Sequence, residues 1–277
     1  MLDPWGIRFI SVCQKRRFAM KIRIVSILVV VIFCLGIGSA YAQEVPRDQL
    51  YFCIDTTVKP SRAADYEANC KKLTAEYAKH NFKFPWYAYS SNDFHYFFVF
   101  PINSLADMDA MAKEGTEMMN KIGKENFDKL WDGYGGTFDN RRDYFLTHIA
   151  DLSHTPEKPR VKIEEGKFII WRAYYIKSDM VKEAEDVTKE LIALRKSKNI
   201  ANGVNVLKGG LGADTPIHIS EEWALSASDY YQNMEKDNAV LGEEFSAIWQ
   251  KVLKVTRKYE ERQGVYRADL SYAPKKE

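Results

Sequence analysis

Glu125-Asn-Phe-Asp-Lys-Leu-Trp131 returns as Glu243-Glu-Phe-Ser-Ala-Ile-Trp249, and Ala150-Asp-Leu-Ser-His-Thr-Pro156 returns as Ala268-Asp-Leu-Ser-Tyr-Ala-Pro274. Both pairs recur at one offset of 118 residues, with no gap between the blocks. Identities in two separated blocks at a common register indicate one unit written twice. Two such units, residues 43–160 and 161–277, account for the chain beyond its first 42 residues.

Working outward from those blocks, each unit shows the same element order. Tyr51–Val58 and Ile169–Ile176 are rich in aromatic and β-branched residues and read as strands. A helix follows each; in the second, Ser178 is placed to cap it, and Met180, Ala184, Val187, Leu191 and Leu194 form one helical stripe. Asn81 and Asn199 close the two helices at matching positions. Short strands over 86–89 and 204–207 lead through turns to third strands, Phe94–Phe100 and Ile217–Ala224. The second turn, Lys208-Gly-Gly-Leu-Gly-Ala-Asp214, is longer and shifts the local offset to about 123. On that alignment His95 matches His218, and Val99 matches Glu222.

Ser104-x-x-Asp107 and Ser226-x-x-Asp229 then signal a second helix, with a hydroxyl cap and a carboxylate in the first turn. That helix carries Phe127 and Trp131 on one face. Gly133-Tyr-Gly-Gly136 breaks it in the first unit, whereas the second is expected to run on through Val252, Leu253 and Tyr259. Tyr144–Leu152 and Val265–Leu270 read as closing strands, in which the Ala-Asp-Leu-Ser blocks end each unit.

The order β-α-β-β-α-β is the ferredoxin-like arrangement, with helices on one face of the sheet. Phe94–Phe100 and Ile169–Ile176 are apolar in both directions, so both faces need cover. The sheet of the other unit supplies it. The expected fold class is therefore α+β, two tandem ferredoxin-like units packed sheet to sheet. This arrangement resembles the dimeric α+β barrel superfamily, with its antibiotic-biosynthesis monooxygenase-like, NIPSNAP-like and haem-associated members. The resemblance implies a pseudo-dimeric barrel with a cavity. No catalytic motif accompanies it.

Residues 1–42 read as a signal peptide. Lys15-Arg-Arg17 and Lys21-Ile-Arg23 precede an apolar run, Ile24–Ile37, and Ala40-Tyr-Ala42 offers a cleavage site after Ala42. The run is shorter than the ~20 residues a membrane span needs. A periplasmic or secreted protein without a stable membrane anchor is expected. Residues 1–42 hold six basic residues and one acidic residue, which leaves 34 Lys+Arg against 37 Asp+Glu and a formal charge of −3. This balance removes support for a nucleic-acid partner.

Cys53 and Cys70 are the cysteines outside the leader. In an oxidising compartment they are candidates for one disulfide, the alternative being two buried free thiols. No metal-ligand spacing, dinucleotide fingerprint or phosphate loop is present.

His218 and Glu222 share a strand face and are the candidate catalytic pair. His95, Trp86, Tyr87, Tyr89, Tyr96, Trp171 and Arg172 are candidates to line a pocket for a small apolar or aromatic ligand, although core packing accounts for most of these aromatics. Asp55 and Arg172, charges inside apolar strands, each require a partner. Three functions remain open: an exported binding or accessory protein, a cofactor-independent monooxygenase-like enzyme acting on an aromatic substrate, and a haem protein with His95 or His218 as axial ligand. The cofactor is unknown, and either a monomer or a homodimer is compatible.

Overall fold

Gln49–Val58 (β1) and Phe168–Ile176 (β5) each form the core of a four-stranded sheet, where aromatic and β-branched side chains pack on both faces. The computed structural model describes residues 48–275; the signal-peptide reading of residues 1–42 lies outside them. The other strands are Tyr87–Ser91 (β2), His95–Ile102 (β3), Phe138–His148 (β4), Asn205–Gly209 (β6), Ile217–Ala224 (β7) and Thr256–Tyr266 (β8). They close an antiparallel barrel in the order β1-β3-β2-β8-β5-β7-β6-β4.

Two short seams complete the circle. β2 meets β8 through Tyr89↔Tyr266, Ser90↔Val265 and Ser91↔Gly264, and β4 meets β6 through Leu146↔Gly209, Thr147↔Lys208 and His148↔Leu207. The halves thus join edge to edge, which leaves no free strand edge in the barrel.

Several features recur at a spacing of 118 residues. A bulge separates Thr57 from Val58 against β4, and another separates Tyr175 from Ile176 against β8. Asn81 and Asn199 both take left-handed backbone, at φ 51° and 53°, just past helices Ala63–Lys79 (α1) and Val181–Ser197 (α4). Asparagine is one of the few side chains that tolerate this conformation.

At the third strands the expected offset was one residue too long. Thr57 pairs with His95 while Tyr175 pairs with Ile217, so the spacing there is 122. His218 therefore corresponds to Tyr96, and Glu222 to Phe100. A one-residue slip in a strand exchanges its faces. His95 and His218 are not equivalent; they lie on opposite sides of the barrel wall.

Three other expectations are corrected. The Ala-Asp-Leu-Ser blocks are not strands: Ala150–Leu152 is a single helical turn, and residues 268–270 form a turn beyond β8. The second helical region is not straight. Ala227–Val255 (α5) breaks at Gly242, whose φ is 58°, and Tyr259 belongs to β8. In the first half Gly123, at φ 85°, separates Asp107–Ile122 (α2) from Lys124–Asp132 (α3). Finally, Ser226 caps α5, its Oγ accepting from the Asp229 amide at 3.1 Å, but Ser104 lies outside the first turn of α2 and caps nothing.

The cysteines are free and buried. Cys53 points into the barrel, and Cys70, on α1, lies in the core on the outer face of the same wall. The sheet between Cys53 and Cys70 separates the two candidates, and the alternative of two buried free thiols is what the structure has.

Candidate functional site

The wall of the second half separates two cavities. Along β7, Ile217, Ile219 and Glu221 face the barrel interior, while His218, Ser220 and Glu222 face α4 and α5. Along β5, Trp171 and Ala173 face inward, while Arg172 and Tyr174 face the helices. The alternation follows directly from the strand period of two.

The helix-side cavity measures about 300 Å³. Leu191 and Arg195 of α4, and Tyr230, Phe245 and Trp249 of α5, cover it. The equivalent space in the first half is filled by an aromatic core of Tyr66, Tyr77, Phe82 and Trp86, against which Phe98 and Phe100 pack. In register, Phe98 becomes Ser220, Phe100 becomes Glu222, Ile54 becomes Arg172 and Tyr77 becomes Arg195. At these positions the second half carries polar groups and space where the first half has core.

Those groups form one network. Arg172 donates to Glu222 Oε1 at 2.6 Å, to Glu261 Oε2 at 2.9 Å and to the Tyr230 hydroxyl at 2.6 Å. Its guanidinium also lies 5.6 Å from the Tyr230 ring centre. Arg195 donates from an Nη to the Asn202 carbonyl at 3.0 Å and approaches Glu222 Oε2 at 3.8 Å. Its Nε is buried without a hydrogen-bond partner. Native interiors rarely leave such a donor unsatisfied, and the Arg195 side chain lines the cavity. At the rim Arg160 holds Asp229 at 2.8 Å and Asn202 at 2.6 Å.

His218 is buried, and no hydrogen bond within the described residues holds its ring. Burial, and then Lys208, lower its pKa to about 4. It is therefore a neutral imidazole with a lone pair available at neutral pH. The shift carries a stability consequence. Unfolding restores the ordinary value of 6.5, so the unfolded chain binds the proton more readily between pH 6.5 and about 4. Stability attributable to His218 is complete above pH 6.5 and falls as the pH drops toward 4. Urea midpoints measured across that window are expected to decline in the wild type and to flatten in His218→Gln; equal slopes would refute the assignment.

The barrel interior is larger, about 480 Å³. Tyr87, Tyr89 and Trp171 line it, with the Trp171 and Tyr89 rings edge to face at 5.8 Å. Asp55 and His95 pair across β1 and β3 at 2.6 Å, which satisfies the buried Asp55 carboxylate. Glu221 also faces this interior, in hydrogen bonds with Trp171 and Asn205.

The proposed ligand residues are thus divided. Tyr87, Tyr89 and Trp171 share the barrel interior with the His95–Asp55 pair. Arg172, His218 and Glu222 share the helix-side cavity. Trp86 and Tyr96 belong to the first-half core: Trp86 Nε1 donates to the Leu270 carbonyl at 2.8 Å, and the Tyr96 hydroxyl donates to Glu67 at 2.6 Å. They line neither cavity. Arg195, Tyr230 and Glu221 escaped the sequence reading. Arg195 left a trace there, as a charge four residues past Leu191 on the apolar stripe of α4.

Haem does not fit these residues. His95 is committed to Asp55 through Nδ1, and its Nε2 faces the Arg262 guanidinium at 3.5 Å. His218 opens onto the smaller cavity, whose floor is closed by the Arg172–Glu222–Tyr230 network. His95 thus offers no free axial nitrogen, and the free ring of His218 opens onto a cavity of only about 300 Å³. Among the described residues no group of three or more His, Cys, Asp or Glu side chains is arranged to hold a metal ion, and no helix is long and apolar enough to cross a membrane.

No family model matches this chain, and no curated protein matches it. Solved structures do. An anthrone oxidase-like protein superposes with a TM-score of 0.54 at 12% identity, covering 80% of this chain and 92% of that one. A chlorite dismutase from Candidatus Nitrospira defluvii superposes with a TM-score of 0.46 at 10% identity, covering 80% and 92%. At such identities the likeness speaks for the fold alone: a mixed α+β protein with an eight-stranded antiparallel barrel.

Proposed function

We propose that this is a small-molecule-binding protein, and that its ligand occupies the helix-side cavity of the second half. One observation carries the reading: at matched register the first half fills this space with Phe98, Phe100 and Tyr77, whereas the second presents Ser220, Glu222 and Arg195 around about 300 Å³ of free volume. That volume is at the lower end of the ~300–1,000 Å³ typical of small-ligand sites. Leu191, Phe245 and Trp249 suit a flat apolar body, and the Arg195 guanidinium that lines the cavity suits a carbonyl or oxyanion oxygen on it.

A catalytic reading is favoured by His218. A neutral imidazole in the cavity that holds Arg195 has the components for removing a proton from a ligand whose resulting oxyanion the guanidinium receives. The likeness to an anthrone oxidase-like protein makes anthrone the natural first probe.

Anthrone is expected to quench Trp249 fluorescence on binding. Arg195→Met should weaken binding about ten-fold or more, the loss of one charge-assisted hydrogen bond. Oxygen uptake with anthrone that disappears in His218→Ala would establish catalysis; binding without uptake leaves a binding protein. If neither anthrone nor any co-purified molecule binds, or if Arg195→Met changes nothing, the cavity is not the site. A shifted Soret band on adding haemin, lost in His218→Ala, would reverse the exclusion of haem.

The same reading treats residues 43–160 and 161–277 as one duplicated unit, exported behind residues 1–42. The shared bulges, the paired Asn81 and Asn199 and the common 118-residue register support the duplication. Sequencing the amino terminus of the exported form tests the leader; cleavage after Ala42 is expected.

A further inference from the structure

We propose that the barrel interior is a second binding site, separate from the helix-side cavity, and that it takes a small organic ammonium cation held by Glu221 within an aromatic cage. The inference rests on where Glu221 stands and what it lacks. Its side chain projects from β7 into the cavity of about 480 Å³. Oε1 accepts from Trp171 Nε1 at 3.0 Å, and Oε2 accepts from Asn205 Nδ2 at 3.0 Å. Both donors are neutral. Among the described residues no cation forms an ion pair with it.

Neither of the two arginines that line the same cavity bonds to Glu221. Arg262 donates to Asp93 at 2.9 Å beside the His95–Asp55 pair, and Arg142 stands opposite Asp55 in the β1–β4 register. Neither offsets Glu221, and burial raises its carboxyl from the ordinary value. An uncompensated carboxylate in a protein interior is costly, and a fold has no structural need of one here. The first half shows as much: the register partner of Glu221 is Val99, that of Trp171 is Cys53, and that of Asn205 is Tyr87. The charge and both of its neutral donors were introduced on one side only.

A carboxylate has about four lone-pair positions, and the protein uses two. The others open onto a wall of Tyr51, Tyr87, Tyr89, Trp171 and Tyr266. No hydrogen bond within the described residues occupies the hydroxyls of Tyr51, Tyr87 or Tyr89, and Glu221 acts electrostatically on both Tyr51 and Tyr89. Aromatic faces attract cations through their quadrupole, most strongly where water is excluded. A charge-bearing carboxylate and several π faces around one cavity select an ammonium group with an apolar body. A neutral ligand would leave Glu221 unmatched, and an anion would be repelled.

The test compares three probes of similar shape by titration calorimetry on the full protein: benzyltrimethylammonium, benzyl alcohol and benzoate. The cation should bind at least about ten-fold more tightly than the alcohol, and benzoate should be weakest. Glu221→Gln, which keeps the shape and one acceptor, should weaken the cation about ten-fold while moving benzyl alcohol less than about two-fold. Trp171→Leu supplies a second variant should the glutamine protein fail to fold; it should weaken the cation several-fold. Equal affinity for cation and alcohol in the wild type, or an unchanged cation affinity in Glu221→Gln, overturns the proposal. The probe ranking on the wild type needs no variant.

Discussion

Replacing Arg172 by methionine is expected to destabilise the protein by about 3–5 kcal/mol, the cost of breaking a buried ion pair from one side. Three acceptors lose their donor at once: Glu222, Glu261 and the Tyr230 hydroxyl. The Arg172 side chain is only 13% exposed and that of Glu222 only 18%, so water compensates little for that pair, whereas Glu261, 33% exposed, can be solvated. An exposed pair such as Lys124–Asp128, on the surface of α3, contributes far less, a few tenths of a kcal/mol. Urea denaturation at neutral pH measures the difference as a lowered midpoint at constant slope. Arg172→Met combined with Glu222→Leu should recover part of the loss, because no carboxylate is then left unmatched at the cavity floor. A single-variant loss below about 1 kcal/mol would mean that Arg172 is solvated in the folded protein, and the network described above would be wrong.

Gly264→Ala is the second large effect, and it acts at a seam. Gly264 pairs with Ser91 where β2 and β8 close the barrel, and with Ile169 on β5. A Cβ added there would meet the Ser90 carbonyl oxygen and lie 2.5 Å from Trp171 Cζ3. The carbonyl belongs to backbone and cannot swing aside, and the indole is wedged between Tyr89 and Phe97. Relief requires that β2 and β8 separate. Because that seam has only three residue pairs, against eight between β1 and β3, it should yield before the sheets do. A loss of about 2–4 kcal/mol is expected, typical of severe overpacking. Hydrogen exchange should show the amides around Tyr89–Ser91 and Gly264–Tyr266 losing protection while β1 stays protected. Uniform loss across the barrel would count against a local opening.

Much of the frame was legible in the residues. The position of β7, the paired asparagines and the order of elements all follow from local rules: apolar strand composition, helix stripes and left-handed stop residues. What escaped depends on contacts across the chain. The inserted turn at 208–214 fixed the third-strand offset only to within one residue, and one residue exchanges inward and outward faces. That slip paired His95 with His218 and hid the replacement of Phe100 by Glu222. The aromatic set was divided for a similar reason. Trp86, Tyr89 and Tyr96 are alike in composition, yet only backbone register shows that Tyr89 turns inward while Tyr96 turns toward α1. The cysteine pair failed because Cys53 and Cys70 are near in sequence but face opposite sides of β1, which spacing alone does not reveal. Arg195 is the residue whose omission mattered most: its place on the apolar stripe of α4 is a local trace, but that α5 covers it follows only from packing across the chain.

Covalent linkage of the two halves has a genetic consequence. In a barrel assembled from identical polypeptides every substitution is made twice, so a change that opens a cavity on one side weakens its twin as well. Here a codon change alters one side alone. The first half can stay densely aromatic as ballast while the second accumulates charges and voids that a symmetric assembly would have to endure in duplicate. Closure is also independent of dilution, since neither half has to find its counterpart in solution. A lone chain at high dilution would keep its barrel intact.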